Sequence, residues 1–222
     1  MINPDGTIDI TSAGWHEVDG LWFIFKPAGL ASQPVADPAV DDVLNWAHTQ
    51  HGLPRELAPC HRLDRATSGV LVCAISSARR ADVGRWFQDS QVHKTYRALV
   101  HGRAPRGGTV SRSLHDRRRG RKMKAVTRFR RTDVFPGVTY LTVTPETGRR
   151  HQIRRHLRGL GFPIWGDARY GSVQEDPEGP ARLWLHAESL ALPGGLRVRA
   201  GLPLELAQHL ASLTELRERT QD

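Results

Sequence analysis

The apolar positions of this chain fall into short runs with two different periods. Compact apolar runs and strict alternation of apolar and polar residues predict β-strands. Several of these runs end at Pro or Gly, as Leu21–Phe25 does at Pro27 and Gly29. Strands are predicted on this basis at Leu21–Phe25, Val70–Ile75, Lys94–Val100, Phe129–Thr132, Gly137–Pro145 and Leu183–Leu192.

Apolar residues at helical spacing predict four helices. These are Asp41–His51, with Asp41 or Asp42 as the cap, Ser77–Gln88, Gln152–Leu160 and Ala207–Leu216. In the third helix Ile153 and Leu157 mark one side, and three arginines fall on the other, Arg154, Arg155 and Arg158. Because strands and helices mix without a regular βαβ alternation, the pattern favours an α+β architecture.

The segment Pro105–Lys124 has no apolar period and is rich in Gly and Arg. It predicts a mobile basic loop or an irregular hairpin. Its basic cluster would suit contacts with the phosphates of a polyanion, although such clusters are also common in solvated loops. The residues concerned are Arg117, Arg118, Arg119, Arg121, Lys122 and Lys124.

Composition limits the classes of partner and compartment. Lys and Arg number 32 against 23 acidic residues, giving a net charge of +9 and a sequence pI of about 10.5. This balance indicates a polyanionic partner without separating RNA from DNA or a membrane.

No apolar run approaches the roughly 20 residues that a membrane-spanning helix needs. Cys60 and Cys73 lack metal or disulfide spacing, so a reduced, cytoplasmic setting is expected, with Cys73 in the core.

The sequence HRLDRATSG at His61–Gly69 places Asp64 between Arg62 and Arg65. Neighbouring arginines favour the ionised carboxylate, and a positioned carboxylate can act as a nucleophile. On charge alone, the same residues fit an exposed turn with salt bridges of little energetic weight. The β-rich run that follows predicts that Asp64 lies in a loop entering a strand.

Three further segments accompany this one, FKPAGL at Phe25–Leu30, HKTYRAL at His93–Leu99 and ETGRRHQIRRHL at Glu146–Leu157. In order and wording the four segments resemble the RluA-type RNA pseudouridine synthases over roughly Leu21–Leu192. Within that family, SGVLV after the aspartate and the doubled GRRHQIRRHL most resemble the TruC branch, which acts on tRNA. The resemblance implies a mixed, largely antiparallel central sheet flanked by helices, with a central RNA-binding catalytic cleft. It also implies isomerisation of uridine to pseudouridine with base flipping and without a cofactor.

The resemblance assigns roles to individual residues. Asp64 corresponds to the catalytic aspartate, Tyr96 to the active-site tyrosine, and Arg154 to the arginine that pairs with that aspartate. Arg62 is expected to reach into the RNA or to contact a phosphate, Ile153 to lie against the base or simply to pack, and Lys94 to bind RNA with the basic cluster. His61 and His151 are expected to hold loops by hydrogen bonding.

Two departures from the family pattern are visible. Ala66 stands where an aspartate is common, and Ser32–Gln33–Pro34 replaces a His-Pro pair. The segment 1–20 is too short for a separate N-terminal RNA-binding module, so residues 1–222 are expected to form a single catalytic domain. A monomer is expected, without DNA or membrane partners. The alternatives are a ribosomal RNA substrate, a non-catalytic RNA-binding protein and a metal-dependent nuclease. The sequence has no His-Glu-x-x-His motif, no paired Asp-x-Asp and no cysteine cluster at metal spacing to support the nuclease.

Overall fold

The computed structural model describes residues 3–37, 39–116, 119–171 and 179–220. Within these ranges there are four α-helices, α1 (Val43–His51), α2 (Ser77–Gln88), α3 (Gln152–Gly159) and α4 (Leu204–Arg219). The strands are β1 (Ile8–Asp9), β2 (Trp15–Val18), β3 (Leu21–Lys26), β4 (Ala58–Pro59), β5 (Ser68–Ala74), β6 (His93–His101), β7 (Gly107–Ser111), β8 (Leu114–Asp116), β9 (Arg121–Met123), β10 (Val126–Phe135), β11 (Val138–Pro145), β12 (Leu185–Ala191) and β13 (Arg197–Arg199).

The chain divides into two compact units. The first comprises residues 1–94 and 187–201, and the second comprises residues 95–186 and 202–222. In the first unit β3 pairs antiparallel with both β2 and β5, while β1 and β13 pair in parallel. Its core consists of apolar side chains that include Phe23, Val72 and Val83.

In the second unit four strands pair antiparallel in the order β6, β11, β10, β7. Fully buried side chains of this unit include Leu99, Leu141 and Leu157. Antiparallel pairs predominate, β1 and β13 pair in parallel, and the helices do not alternate regularly with the strands. The predicted α+β fold with a mixed, largely antiparallel sheet is therefore confirmed. No helix in the described ranges is both long enough and apolar enough to cross a bilayer.

Local sequence signals explain the helix boundaries. The side chain of Asp42 accepts hydrogen bonds from the N–H groups of Leu44 and Asn45, which caps α1 as predicted. Gly52 ends that helix in the left-handed conformation, at φ 66°. The Ser76 side chain caps α2 in the same manner as Asp42 caps α1.

The basic segment Pro105–Lys124 is more regular than a mobile loop. Gly107–Ser111 forms a strand along β10, and β8 and β9 form a hairpin. The prediction of a loop is therefore wrong for Gly107–Ser111, where the pairing with β10 outweighs the low strand propensity of two glycines. The alternative prediction, a hairpin, is confirmed by the pairing of Leu114–Asp116 with Arg121–Met123. Arg117 and Arg118 lie outside the described residues.

Candidate active site

The loop that carries Asp64 leads directly into β5, as the sequence predicts. Gly69, near the start of β5, pairs with Lys26 at the end of β3. The N–H of Thr67 donates to the Asp64 carbonyl at 2.9 Å, which closes a tight turn. Asp64 itself is half-buried, whereas Arg62 is exposed. The fold therefore presents Asp64 at a strand end in a short, folded loop.

Lys26 is fully buried beneath this loop, at 0 % exposure. Its Nζ donates to the carbonyl oxygens of Pro27 at 2.8 Å, Leu30 at 2.9 Å and Arg65 at 3.2 Å. An ammonium group offers three donors, so Lys26 can bind these three backbone acceptors at once. Lys26 thus connects the segment after β3 to the residue next to Asp64. It directly follows the predicted strand Leu21–Phe25, but this role was not predicted.

Further hydrogen bonds hold both sides of Asp64. The Ser32 hydroxyl donates to the Leu63 carbonyl and accepts from the Leu63 N–H, both at 2.9 Å. The Gly29 N–H donates to the Arg65 carbonyl at 2.8 Å, and Arg65 Nε donates to the Gly29 carbonyl at 2.9 Å. Ser32, noted above as a departure from the family pattern, therefore supports the residue that precedes Asp64.

His61 opens the loop and is held in its neutral form. Its Nε2 accepts from the Val72 N–H at 3.1 Å, and its ring stacks on Phe87 with centroids 4.6 Å apart. Burial, together with the nearby charge of Lys94, lowers the pKa of His61 to about 3. His61 therefore holds the loop by a hydrogen bond, as the sequence reading expected.

Because His61 is neutral in the folded protein, the stability of the fold depends on pH. The unfolded chain binds this proton near pH 6.5, the ordinary histidine value, whereas the folded protein binds it only near pH 3. Between those values the unfolded state holds more protons, so stability falls as the pH is lowered. We expect His61→Gln to weaken the fall in melting temperature between pH 7 and pH 5. Exposed His93, changed to Gln, is the control, and equal slopes in wild type and His61→Gln would contradict the account.

The other predicted catalytic residues lie in the second unit. Tyr96 is half-buried on β6, opposite Val143 of β11. Ile153 and Arg154 are both buried in the first turn of α3. Lys94, which belongs to the first unit, is also buried, with its Nζ 5.8 Å from the centroid of the Phe87 ring. The roles that the resemblance gives to these residues, including the pairing of Asp64 with Arg154, stay predictions.

Arg154 has a partner that the sequence did not indicate. Its Nε donates to Oδ2 of Asp167 at 2.8 Å, and its Nη2 donates to Oδ1 at 2.7 Å. Burial opposes ionisation of Asp167, but hydrogen bonds from Arg154 and from the Tyr170 and Arg169 N–H groups outweigh it, so the pKa of this carboxyl lies below its ordinary value. The arginines on this face of α3 therefore differ in burial: Arg154 is buried, whereas Arg158 is exposed.

The β8–β9 hairpin is anchored to α3. Arg155 Nη1 donates to the His115 carbonyl at 3.3 Å, and His156 Nε2 lies 3.0 Å from the Arg112 carbonyl oxygen. Burial lowers the pKa of His156, which favours the neutral ring. Exposed basic residues in the described part of this region include Arg119, Arg121, Lys122 and Lys124. They give this edge of the hairpin a positive charge.

The chain is similar to known proteins over most of its length. The family model described as RNA pseudouridylate synthase matches residues 20–158. Ribosomal large subunit pseudouridine synthase D of Xylella fastidiosa is 34% identical over 230 residues, covering 90% of this chain and 69% of the relative. Dual-specificity RNA pseudouridine synthase RluA of Haemophilus influenzae is 36% identical over 189 residues. This match covers 80% of this chain and 84% of the relative.

A solved structure has a similar fold. Human RNA Pseudouridylate Synthase Domain Containing 4 matches with a TM-score of 0.71 and 27% sequence identity. The match covers 90% of this chain and 92% of the human chain. The family model, the two relatives and the solved structure are therefore all RNA pseudouridine synthases or pseudouridylate synthase domains.

Proposed function

This chain belongs to the RluA-type family of RNA pseudouridine synthases, and from that premise we propose that Asp64 is the carboxylate that drives isomerisation of a uridine in structured RNA. The observation that carries the proposal is the anchoring of the Asp64 loop. Lys26, Ser32 and the Gly29–Arg65 pair bind the backbone on both sides of Asp64. Reactive groups need such fixed positions, because small displacements cost rate.

The reaction breaks the bond between N1 of uracil and C1′ of ribose and forms a bond between C5 and C1′. C5 loses its hydrogen to solvent and N1 gains one, so the atoms balance without a redox partner. Asp64 acts on the ribose, either as a nucleophile at C1′ or as the base that starts a glycal route. Arg154 is proposed to orient the Asp64 carboxylate and to balance its negative charge through a bidentate contact.

The remaining residues are proposed to bind and hold the RNA. Arg62, which is exposed beside Asp64, fills the space that the flipped uridine leaves in the stack. Tyr96 stacks on the uracil and holds it during rotation, with Ile153 on the opposite side. The basic edge of the β8–β9 hairpin contacts phosphates and makes the affinity dependent on salt.

Two substrate classes have support. The resemblance of the SGVLV and GRRHQIRRHL segments to the TruC branch favours tRNA. Similarity to the ribosomal large subunit pseudouridine synthase of Xylella fastidiosa favours ribosomal large-subunit RNA. Because C5 loses its hydrogen in the reaction, release of tritium from [5-³H]uridine-labelled RNA measures turnover. The purified protein is assayed on labelled tRNA and on labelled ribosomal RNA, and tritium release from neither would contradict the proposed function.

We propose that the Tyr96 hydroxyl also acts in the reaction after the RNA has bound, and Tyr96→Phe tests this role separately from the stacking of the ring. The variant keeps the aromatic ring for stacking and loses the hydroxyl. We expect RNA affinity to be retained and the single-turnover rate to fall by about 100-fold, as for loss of a positioned proton donor or acceptor. Tyr140→Phe is the matched control, since Tyr140 lies on β11 against the Trp184 ring. A Tyr96→Phe rate equal to that of Tyr140→Phe would remove the hydroxyl from the mechanism.

A further inference from the structure

We propose that Asp167 is a positioning residue that fixes the Arg154 guanidinium for the reaction, an inference that rests on the proposed function of Arg154. The two side chains make a bidentate ion pair, with N–O distances of 2.8 and 2.7 Å. Both are buried, Arg154 at 7 % exposure and Asp167 at 5 %. A planar guanidinium held by two parallel hydrogen bonds has one orientation rather than several.

The Asp167 carboxylate is also held by hydrogen bonds that do not involve Arg154. Its Oδ1 accepts from the N–H groups of Arg169 and Tyr170, each at 3.0 Å. The preceding Gly166 has φ 66°, and a Cβ there would lie 2.0 Å from the Arg182 carbonyl oxygen. This close approach of two backbone segments leaves the start of the turn little room to move.

The same turn also contacts the face of the guanidinium. Arg154 Cζ lies 5.1 Å from the centroid of the Tyr170 ring, within the range of a cation–π contact. The Tyr170 hydroxyl lies 3.0 Å from Nδ1 of His151, the residue that precedes α3. Residues 167–170 therefore hold Arg154 on one edge and on one face.

Asp167 binds one particular edge of the Arg154 guanidinium, and this edge determines how the other edge is oriented. A guanidinium carries five N–H donors, which form two forks suited to carboxylates. Asp167 binds the fork made by Nε and Nη2. The second fork, made by Nη1 and Nη2, is the one suited to the Asp64 carboxylate in the proposed mechanism. By setting the first fork, Asp167 sets the direction of the second.

Asp167→Asn tests this role, because Asn can still accept the two N–H bonds of the turn through its side-chain oxygen but loses the charge and one contact to Arg154. We expect kcat to fall about 10- to 100-fold, because a displacement of about 1 Å at a reacting group can cost about 100-fold in rate, while RNA affinity is unchanged. Asp133→Asn, which removes the Asp133–Arg217 ion pair of the same unit, is the matched control and should keep wild-type kcat.

A double variant separates positioning from a structural role. In an Arg154→Lys background the bidentate geometry is already lost, so Asp167→Asn should add little further loss of kcat. If the two losses multiply, or if folded Asp167→Asn turns over at the wild-type rate, the inference is overturned. Asp167→Glu takes the place of Asp167→Asn if that variant does not fold, because it keeps the charge while displacing the carboxylate, and wild-type kcat in it would equally overturn the inference. Asp64→Asn is assayed in parallel, and turnover by that variant would refute the proposed function instead.

Discussion

Asp64→Asn is expected to abolish pseudouridine formation while leaving RNA binding intact. An amide of the same shape can neither attack the ribose nor remove a proton from it, so we expect the single-turnover rate to fall by at least about 1000-fold. The backbone bonds that hold the loop, from Lys26 and Ser32 to Arg65 and Leu63, do not involve the side chain that is changed. The variant should therefore fold as the wild type does.

The control for this prediction is Asp82→Asn, an Asp→Asn change on the surface of α2, where Asp82 pairs with Arg85. Surface ion pairs of this kind contribute little, so rate and affinity should both match wild type. Circular dichroism and RNA-binding titrations establish that both variants are folded. Substantial turnover by folded Asp64→Asn would remove Asp64 from the reaction and favour the RNA-binding role without catalysis.

Gly69→Ala is expected to destabilise the protein more than any surface change. Gly69 has φ 125°, and a Cβ at this position would lie 2.1 Å from the Ala187 carbonyl oxygen. Both the backbone strain and the displacement of a neighbouring strand carry a cost, which together amount to about 4 kcal/mol in the free energy of unfolding. Because Gly69 closes the segment that begins at His61, the change should also displace Asp64 and reduce the rate.

Gly20→Ala separates the clash from the backbone strain. Gly20 also has a positive φ, 73°, but no atom lies within 4 Å of the Cβ position. This variant should lose only about 1 kcal/mol, the cost of the left-handed conformation for Ala. Urea unfolding of both variants measures the difference, and equal midpoints would show that strand β5 can move away from Ala187.

The elements around the site could be predicted because their signals are local. The apolar run Leu21–Phe25 and the periodic segment Gln152–Leu160 matched β3 and α3 to within one residue at each end. The position of Asp64 in a loop before a strand followed from the Pro- and Gly-free apolar run after it. These patterns of apolar and polar residues lie within single segments, so the sequence alone shows them.

The supports of the site could not be predicted, because they are tertiary contacts between distant or polar residues. Arg154 looked like one of three arginines on a helix face, and its burial depends on Asp167, 13 residues away. The sequence Gly166–Gly171 carries a turn signal, Gly-Asp followed by a second Gly, but nothing local says which cation the aspartate binds. The same holds for Lys26, whose three acceptors are backbone carbonyls without a sequence signature.

We propose that this protein converts uridine to pseudouridine through Asp64. Site-resolved mapping of pseudouridine in tRNA and ribosomal RNA, after incubation with the purified wild-type protein or with Asp64→Asn, tests this proposal. We expect new pseudouridine at a defined position in at least one of these RNAs with the wild type and none with the variant. No new pseudouridine with the wild type, or the same sites modified by both proteins, would contradict it.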